Sequence, residues 1–226
     1  MSWASYGGVP IDAFLLASAT AQELAPSARP ALVLGVGKVA SAATLYAHLL
    51  AAANGQPVRA VLLCGIAGAY PERHRKTPPP VGPGGLCVVS SDQLADEGVL
   101  TETGFVDLGA PAFGRSQGLV DTGPFPANPR MAADAAARLG VPLVRGATVS
   151  TCSGVDLLSR QLHERTHADV ETMEGAAVAA ICRRCEVPLL HVRAISNWTG
   201  DRERGGWNLG AAVDALERGL RRLFGD

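Results

Sequence analysis

Charge is sparse in this 226-residue sequence: only 18% of residues are charged, 20 lysines and arginines against 21 aspartates and glutamates, for a formal net charge of −1. No large basic field exists to hold nucleic acid or an anionic membrane, so neither is expected as a partner. Aromatic residues make up 5%. The five cysteines, Cys64, Cys87, Cys152, Cys182 and Cys185, are an odd number scattered through apolar surroundings, which suits reduced thiols and not a disulfide framework. The N-terminal stretch "MSWASYGGVPIDAFLLASATAQE" lacks a cationic leader, and its apolar run is too short for a signal or membrane-spanning segment. A cytoplasmic location is expected. No repeat of fixed period and no second compositional block interrupts the chain, so residues 1–226 read as a single domain, long enough to bury roughly 70% of its unfolded surface.

What is present is a regular alternation. Apolar runs in "AFLLASA", "ALVLGVG", "RAVLLCG", "GLCVVSS", "VPLVRGATVS" and "VPLLHVRAIS" read as buried strands. Between and after them, helices are predicted over Val39–Ala53, Pro129–Leu139, Asp156–His167, Met173–Arg184 and Gly210–Leu223. Such alternation predicts an α/β fold with a largely parallel sheet covered on both faces. The segment "YPERHRKTPPPVGPGG", Tyr70 to Gly85, is too rich in proline and glycine for regular structure and reads as a surface loop, a candidate lid.

Three short motifs suggest chemistry that their context does not support. "GVGKVA" follows a strand and opens a helix with Gly35, Gly37 and Ala40 in dinucleotide-fingerprint spacing, yet no Asp or Glu occurs from Leu24 to Pro71 to hold a ribose. Val39 also stands where a phosphate-binding loop needs Ser or Thr. A tight turn with close backbone packing is the simpler reading. "HERTH", His163 to His167, has zinc-peptidase spacing but polar flanks, and "CRRC", Cys182 to Cys185, ends an apolar helix with no second pair. No metal and no cofactor is expected.

Several segments taken together resemble one family. "LLASATAQEL", "LGVGKVASA", "LLCGIAGAYP", "CVVSSDQLADEG", "TETGFVDLGAP", "VSTCSG" and "VETMEGAAVAAICRRCEVPLLHVRAISN", spanning Leu15 to Asn197, are similar to the purine nucleoside phosphorylase and methylthioadenosine nucleosidase superfamily. Within it they look most like the branch that hydrolyses futalosine. The resemblance implies a three-layer α/β/α sandwich around a twisted mixed β-sheet, a small-molecule nucleoside substrate, and assembly as a homodimer or larger homo-oligomer.

Cleaving a ribosyl purine passes through an oxocarbenium-like state, which needs negative charge beside the sugar, help for the departing base and a delivered nucleophile. By resemblance, Glu174 accepts hydrogen bonds from the ribose hydroxyls, Met173 packs on the ribose face, and Glu23 activates water. Arg193, embedded in an apolar strand, needs an anionic or carbonyl partner, and Glu23 is the candidate. Adenine-cleaving relatives carry Asp where this chain has Asn197. An amide offers a donor and an acceptor but no transferable proton, which suits the N7 and O6 acceptors of a 6-oxopurine. Other departures are Thr172 in the outer carboxylate's place with Glu171 one position earlier, and Ile66 for a serine, leaving backbone groups of Ala67 and Gly68 to contact the sugar. Gly154 stands where an aromatic residue stacks, with Val155 left to meet the purine edge through its backbone. Arg115, Arg145 and His191 are candidates to pair with the benzoate carboxylate of futalosine. Hydrolysis of methylthioadenosine or adenosylhomocysteine and phosphate-dependent cleavage are the alternatives.

Overall fold

The computed structural model describes residues 4–24, 30–110, 121–200 and 206–225. A short hairpin, β1 (Ser5–Tyr6) and β2 (Val9–Pro10), precedes β3 (Phe14–Ser18), β4 (Ala31–Val33), α1 (Lys38–Ala53), β5 (Ala60–Ala69) and β6 (Leu86–Leu94). A second hairpin, β7 (Gly98–Thr101) and β8 (Gly104–Asp107), is followed by β9 (Phe125–Pro126), α2 (Pro129–Leu139), β10 (Leu143–Thr148) and α3 (Asp156–Thr166). β11 (Val170–Thr172), α4 (Gly175–Arg184), β12 (Leu189–Trp198) and α5 (Leu209–Phe224) complete the described chain.

The central sheet runs β11-β10-β6-β12-β5-β3-β4, with β9 added alongside β6. Its pairings are parallel except β12 with β6, β6 with β9 and β11 with β5, so the sheet is largely parallel, as alternation predicts, but mixed by these antiparallel meetings, which alternation does not reveal. The pairing of Val170 with Ala69 and of Glu171 with Gly68 bends β11 round onto β5, closing the sheet upon itself at one end. Alternation fixes which elements lie adjacent in the chain, but strand direction depends on where each crossover returns.

Side-chain period two sorts the central strands into two cores. Leu62, Cys64, Leu190, Val192 and Ala194 face α2 and α5. Val61, Leu63 and Leu189 face α1 and α4. The three layers follow. α2 begins with Asn128 accepting from Met131 N–H and Pro129 in the first turn, and ends at Gly140 in the left-handed conformation. Helix α4 starts two residues later than its apolar pattern suggests, because Met173 and Glu174 form the turn that joins β11 to it. Cys182 is buried between α4 and the sheet while Cys185 is half-buried, and the cysteines form no disulfide among the described residues.

The Tyr70–Gly85 loop is tethered rather than lid-like. Tyr70 is fully buried, the His74 ring bonds to Asp156 and Ser159, and Arg75 pairs with Asp169 over 2.7 Å. Its end is sewn to β12 by Gly84 N to Ile195 O and Ile195 N to Gly85 O. None of its residues lines the cavity described next.

Candidate active site

A cavity of about 460 Å³ opens beyond the C-terminal ends of β3, β5, β11 and β12, the place where α/β sheets bind ligands and a volume suited to a nucleoside. Its floor is where β5 passes beneath two charged side chains. A Cβ on Gly65 would lie 2.5 Å from Arg193 Nη1 and 2.8 Å from Glu23 Oε1, so only glycine there lets both groups reach the floor.

Glu23 sits in the turn after β3, and four donors hold its carboxylate. Oε2 accepts from Ser18 Oγ at 2.8 Å, Thr20 N at 2.9 Å and Thr20 Oγ1 at 3.1 Å, while Oε1 accepts only from Ile66 N at 2.9 Å. Oε1 therefore keeps a lone pair for a water in the cavity. The hydroxyl absent at Ile66 is replaced by that residue's peptide: its N–H holds Glu23 and its carbonyl accepts from Arg193 Nη1 at 3.2 Å.

Arg193, 1% exposed, lies behind the cavity wall instead of on it. Its ionic partner is Glu174, at 3.5 Å, and not Glu23. Glu174 also accepts from Gly37 N at 3.0 Å, so the glycine motif after β4 supplies a backbone donor to this carboxylate. Gly37 has φ 91° and ψ 165°, a conformation open almost only to glycine. A Cβ on Gly35 would come 2.9 Å from that of Ala40, which accounts for the small residue in the motif's last position.

Asn197 faces the cavity near the end of β12. Its Nδ2 donates to Trp198 O at 2.9 Å and its Oδ1 accepts from Ser196 Oγ at 2.7 Å. An amide oxygen has no hydrogen to offer the Trp198 carbonyl, so the amide orientation is fixed, with one N–H left over for a ligand. Gly68 allows this placement, since a Cβ there would meet Thr199 and crowd Asn197. Met173, Ala67 and Gly68 also line the cavity.

Thr172 contributes differently from the outer carboxylate it replaces. Its hydroxyl turns inward to Thr148 and Asp92 and accepts from Gly175 N. Glu171, one residue earlier, lines the cavity as Thr172 does, but its oxygens are occupied by Ser153 N, Ser153 Oγ and Tyr70 Oη. Burial raises the Glu171 carboxyl above its ordinary range, opposed by those Ser153 and Tyr70 hydrogen bonds. Glu171 thus braces the Ser153–Gly154 wall. Gly154 lines that wall with open space where a side chain would be.

Val155 does not line the cavity: it is 60% exposed and caps α3, its carbonyl accepting from Ser159 N. Nor do Arg145 and His191, the first an exposed residue on β10 and the second buried behind Arg193; Arg115 lies outside the described residues. In the "HERTH" segment, His163 Nδ1 bonds Ala168 O and its ring packs against Tyr70, while His167 ends α3 at φ 52°. Among the described residues no three His, Cys, Asp or Glu side chains cluster to hold a metal. No described helix is long and apolar enough to cross a membrane.

Sequence reasoning did not pick out Gly37 as a donor, the Ser18–Thr20 hydroxyls around Glu23, the Ser153–Tyr70 brace, or Trp207 at the cavity rim. The serine and threonine in "SATAQE" were the one available signal.

Residues 29–225 match the model of the phosphorylase superfamily. The futalosine hydrolase of Thermus thermophilus is 34% identical over 197 residues, which cover 86% of this chain and 80% of that protein. Two Helicobacter pylori structures share the fold. A mutant of its futalosine hydrolase superposes with TM-score 0.70 at 20% identity, covering 93% of this chain and 97% of that one. Its 5′-methylthioadenosine/S-adenosylhomocysteine nucleosidase, bound to butyl-thio-DADMe-Immucillin-A, also gives 0.70, at 19% identity over 93% and 96%.

Proposed function

The chain belongs to the phosphorylase superfamily, and from that premise we propose that it hydrolyses the N-glycosidic bond of futalosine, releasing hypoxanthine and dehypoxanthinyl futalosine in the alternative menaquinone pathway. The observation that carries hydrolysis over phosphorolysis is the charge of the cavity wall. Glu23, Glu171 and Glu174 line it, and among the described residues no lysine or arginine does. Among the described residues a phosphate dianion would meet three carboxylates and no cation, whereas neutral water meets an acceptor.

In this reading Glu23 Oε1 accepts a proton from water as the oxygen forms its bond to C1′, while the C1′–N9 electron pair departs with the base as an anion that then takes a proton from solvent to give hypoxanthine. Glu174 holds the ribose hydroxyls, and its charge, steadied by Gly37 and Arg193, stabilises the sugar as it becomes cationic. Met173 packs on the ribose, with the strand carrying Ile66, Ala67 and Gly68 beneath it. Asn197 donates its free N–H to N7 of the leaving base. That donor role favours a 6-oxopurine over the methylthioadenosine reading, because the amide has no acidic proton to give an adenine.

Residues 1–226 act as one unit in this proposal. The lack of a disulfide among the described residues suits the reducing cytoplasm. Exposed Val36, Trp207 and Leu209 at the rim support packing of a second copy in a homodimer or larger homo-oligomer. The test is base release, followed by chromatography, from futalosine, inosine and methylthioadenosine, each with and without phosphate. Hypoxanthine from futalosine in phosphate-free buffer is expected. Adenine from methylthioadenosine in its place, or a requirement for phosphate, would overturn the reading.

A further inference from the structure

Behind the cavity lies a buried polar chain that runs from Arg193 to His191 and Asp92, and the reaction outlined above assigns no part to the last two. His191 and Arg193 are two apart on β12 and so project from the same face, under the first turn of α4. All three guanidinium nitrogens of Arg193 are engaged: Nη1 donates to Ile66 O, Nη2 points at Glu174 Oε2 from 3.5 Å, and Nε donates to His191 Nε2 at 2.7 Å. The guanidinium is planar, so holding Nε and Nη1 fixes where Nη2 points. The contact to His191 is the shortest of the three.

That contact dictates the state of the imidazole. To accept at Nε2, the ring must be neutral and carry its proton on Nδ1. Nδ1 faces Asp92 Oδ2 at 4.0 Å, on the side where a carboxylate favours the N–H. Burial, with Arg193 beside it, holds the imidazole well below its usual pKa, in keeping with a neutral ring. Asp92 is itself set by Thr148 Oγ1 at 2.9 Å and Thr172 Oγ1 at 3.4 Å. The packing leaves no latitude: a Cβ on Gly175 would overlap Asp92 Oδ2 and lie 2.7 Å from His191 Cε1.

We propose that His191 is a positioning residue for the site: its Nε2 accepts from Arg193 Nε and so sets the guanidinium orientation in which Nη2 holds Glu174. The inference rests on the assignment of Glu174 to the ribose, but its geometry can be tested apart from any substrate. The opposite effect, a ring that only fills space beneath α4, would need no particular tautomer and no acceptor.

Two measurements decide it. In uniformly 15N-histidine-labelled wild-type protein, the His191 signal, identified by its loss in His191→Gln, is expected to show a neutral ring protonated on Nδ1 from pH 5 to 8. A ring protonated on Nε2, or an imidazolium, would overturn the proposal. In steady-state assays with whichever nucleoside the wild type cleaves, His191→Phe removes the acceptor at similar size and is expected to lower kcat on the order of tenfold to a hundredfold, with a smaller change in KM. His191→Gln keeps an oxygen near the Nε2 position and is expected to recover most of that loss. Equal impairment of both folded variants, or wild-type kcat in His191→Phe, would sink it. Failure of futalosine as substrate would count against the function proposed above and leave the tautomer result standing.

Discussion

The Gly37 N–H donates to Glu174 Oε1 over 3.0 Å, joining residues 137 apart in the chain. Glu174 caps the start of α4, yet its carboxylate receives no hydrogen bond from its own helix's first turn; its charge is held by the opening of a different helix, α1, and by Arg193. A carboxylate fixed from two sides before substrate arrives needs little reorganisation as positive charge develops on a neighbouring sugar. The glycine motif is therefore part of the site's electrostatics.

Gly37→Ala isolates that contact, since the new Cβ meets nothing within 4 Å and only the backbone conformation is penalised. The variant is expected to lose about 1 to 3 kcal/mol of stability and to turn over more slowly as Glu174 loses its donor. Thermal denaturation together with kcat would check it; unchanged turnover would remove Gly37 from the site.

Glu174→Gln keeps the shape and removes the charge. Turnover is expected to fall by about a hundredfold or more, the scale of a lost transition-state contact, and Arg193, left buried without its anion, should also cost stability. Steady-state kinetics beside a melting curve separates the two effects. Near-wild-type kcat would mean that another group stabilises the sugar.

Asp92 gives a pH signature. Burial, against the lowering effects of Thr148, Arg193 and Thr172, pushes its carboxyl from 3.8 up to about 7. The folded state then binds the proton more tightly than the unfolded chain. Its stabilising effect is full below about pH 4 and is lost as pH rises towards 7, a change worth about 4 kcal/mol. Tm of the wild type should drop between pH 5 and pH 8 by more than Tm of Asp92→Asn. Parallel pH profiles would show that Asp92 is not the group titrating.

Much of this could be read in the residues. Apolar runs located the main strands, and the Asn-Pro start and Gly140 end of α2 marked its bounds because capping is local chemistry. Strand direction was not legible, since the antiparallel meeting of β12 with β6 depends on a crossover and not on any one residue's preference. The same division holds at the site. Glu23, Glu174 and Asn197 stand out by residue type and spacing, but the partner of Arg193 was misassigned because Glu174 and Glu23 approach it from different elements. Backbone donors such as Gly37 N and Ile66 N carry no side-chain signal at all. Val155 lies outside the cavity lining because it opens α3, a placement that no single residue's chemistry announces.

Asn197→Asp tests the reading of the base pocket. The Trp198 carbonyl, 2.9 Å from Nδ2 in the wild type, would face a carboxylate oxygen in the variant, and two acceptors repel unless a proton lies between them. The new acid is thus driven towards its protonated form. It could then give a proton to N7 of an adenine and, with its other oxygen, accept from the 6-amino group. Against a 6-oxopurine that second oxygen would oppose O6, a mismatch worth about 1 to 3 kcal/mol. Hypoxanthine release from futalosine should therefore slow by roughly tenfold to a hundredfold, while adenine release from methylthioadenosine should appear. Both rates come from one chromatographic assay on the purified variant. Undiminished hypoxanthine release with no adenine would mean that Asn197 does not choose the base.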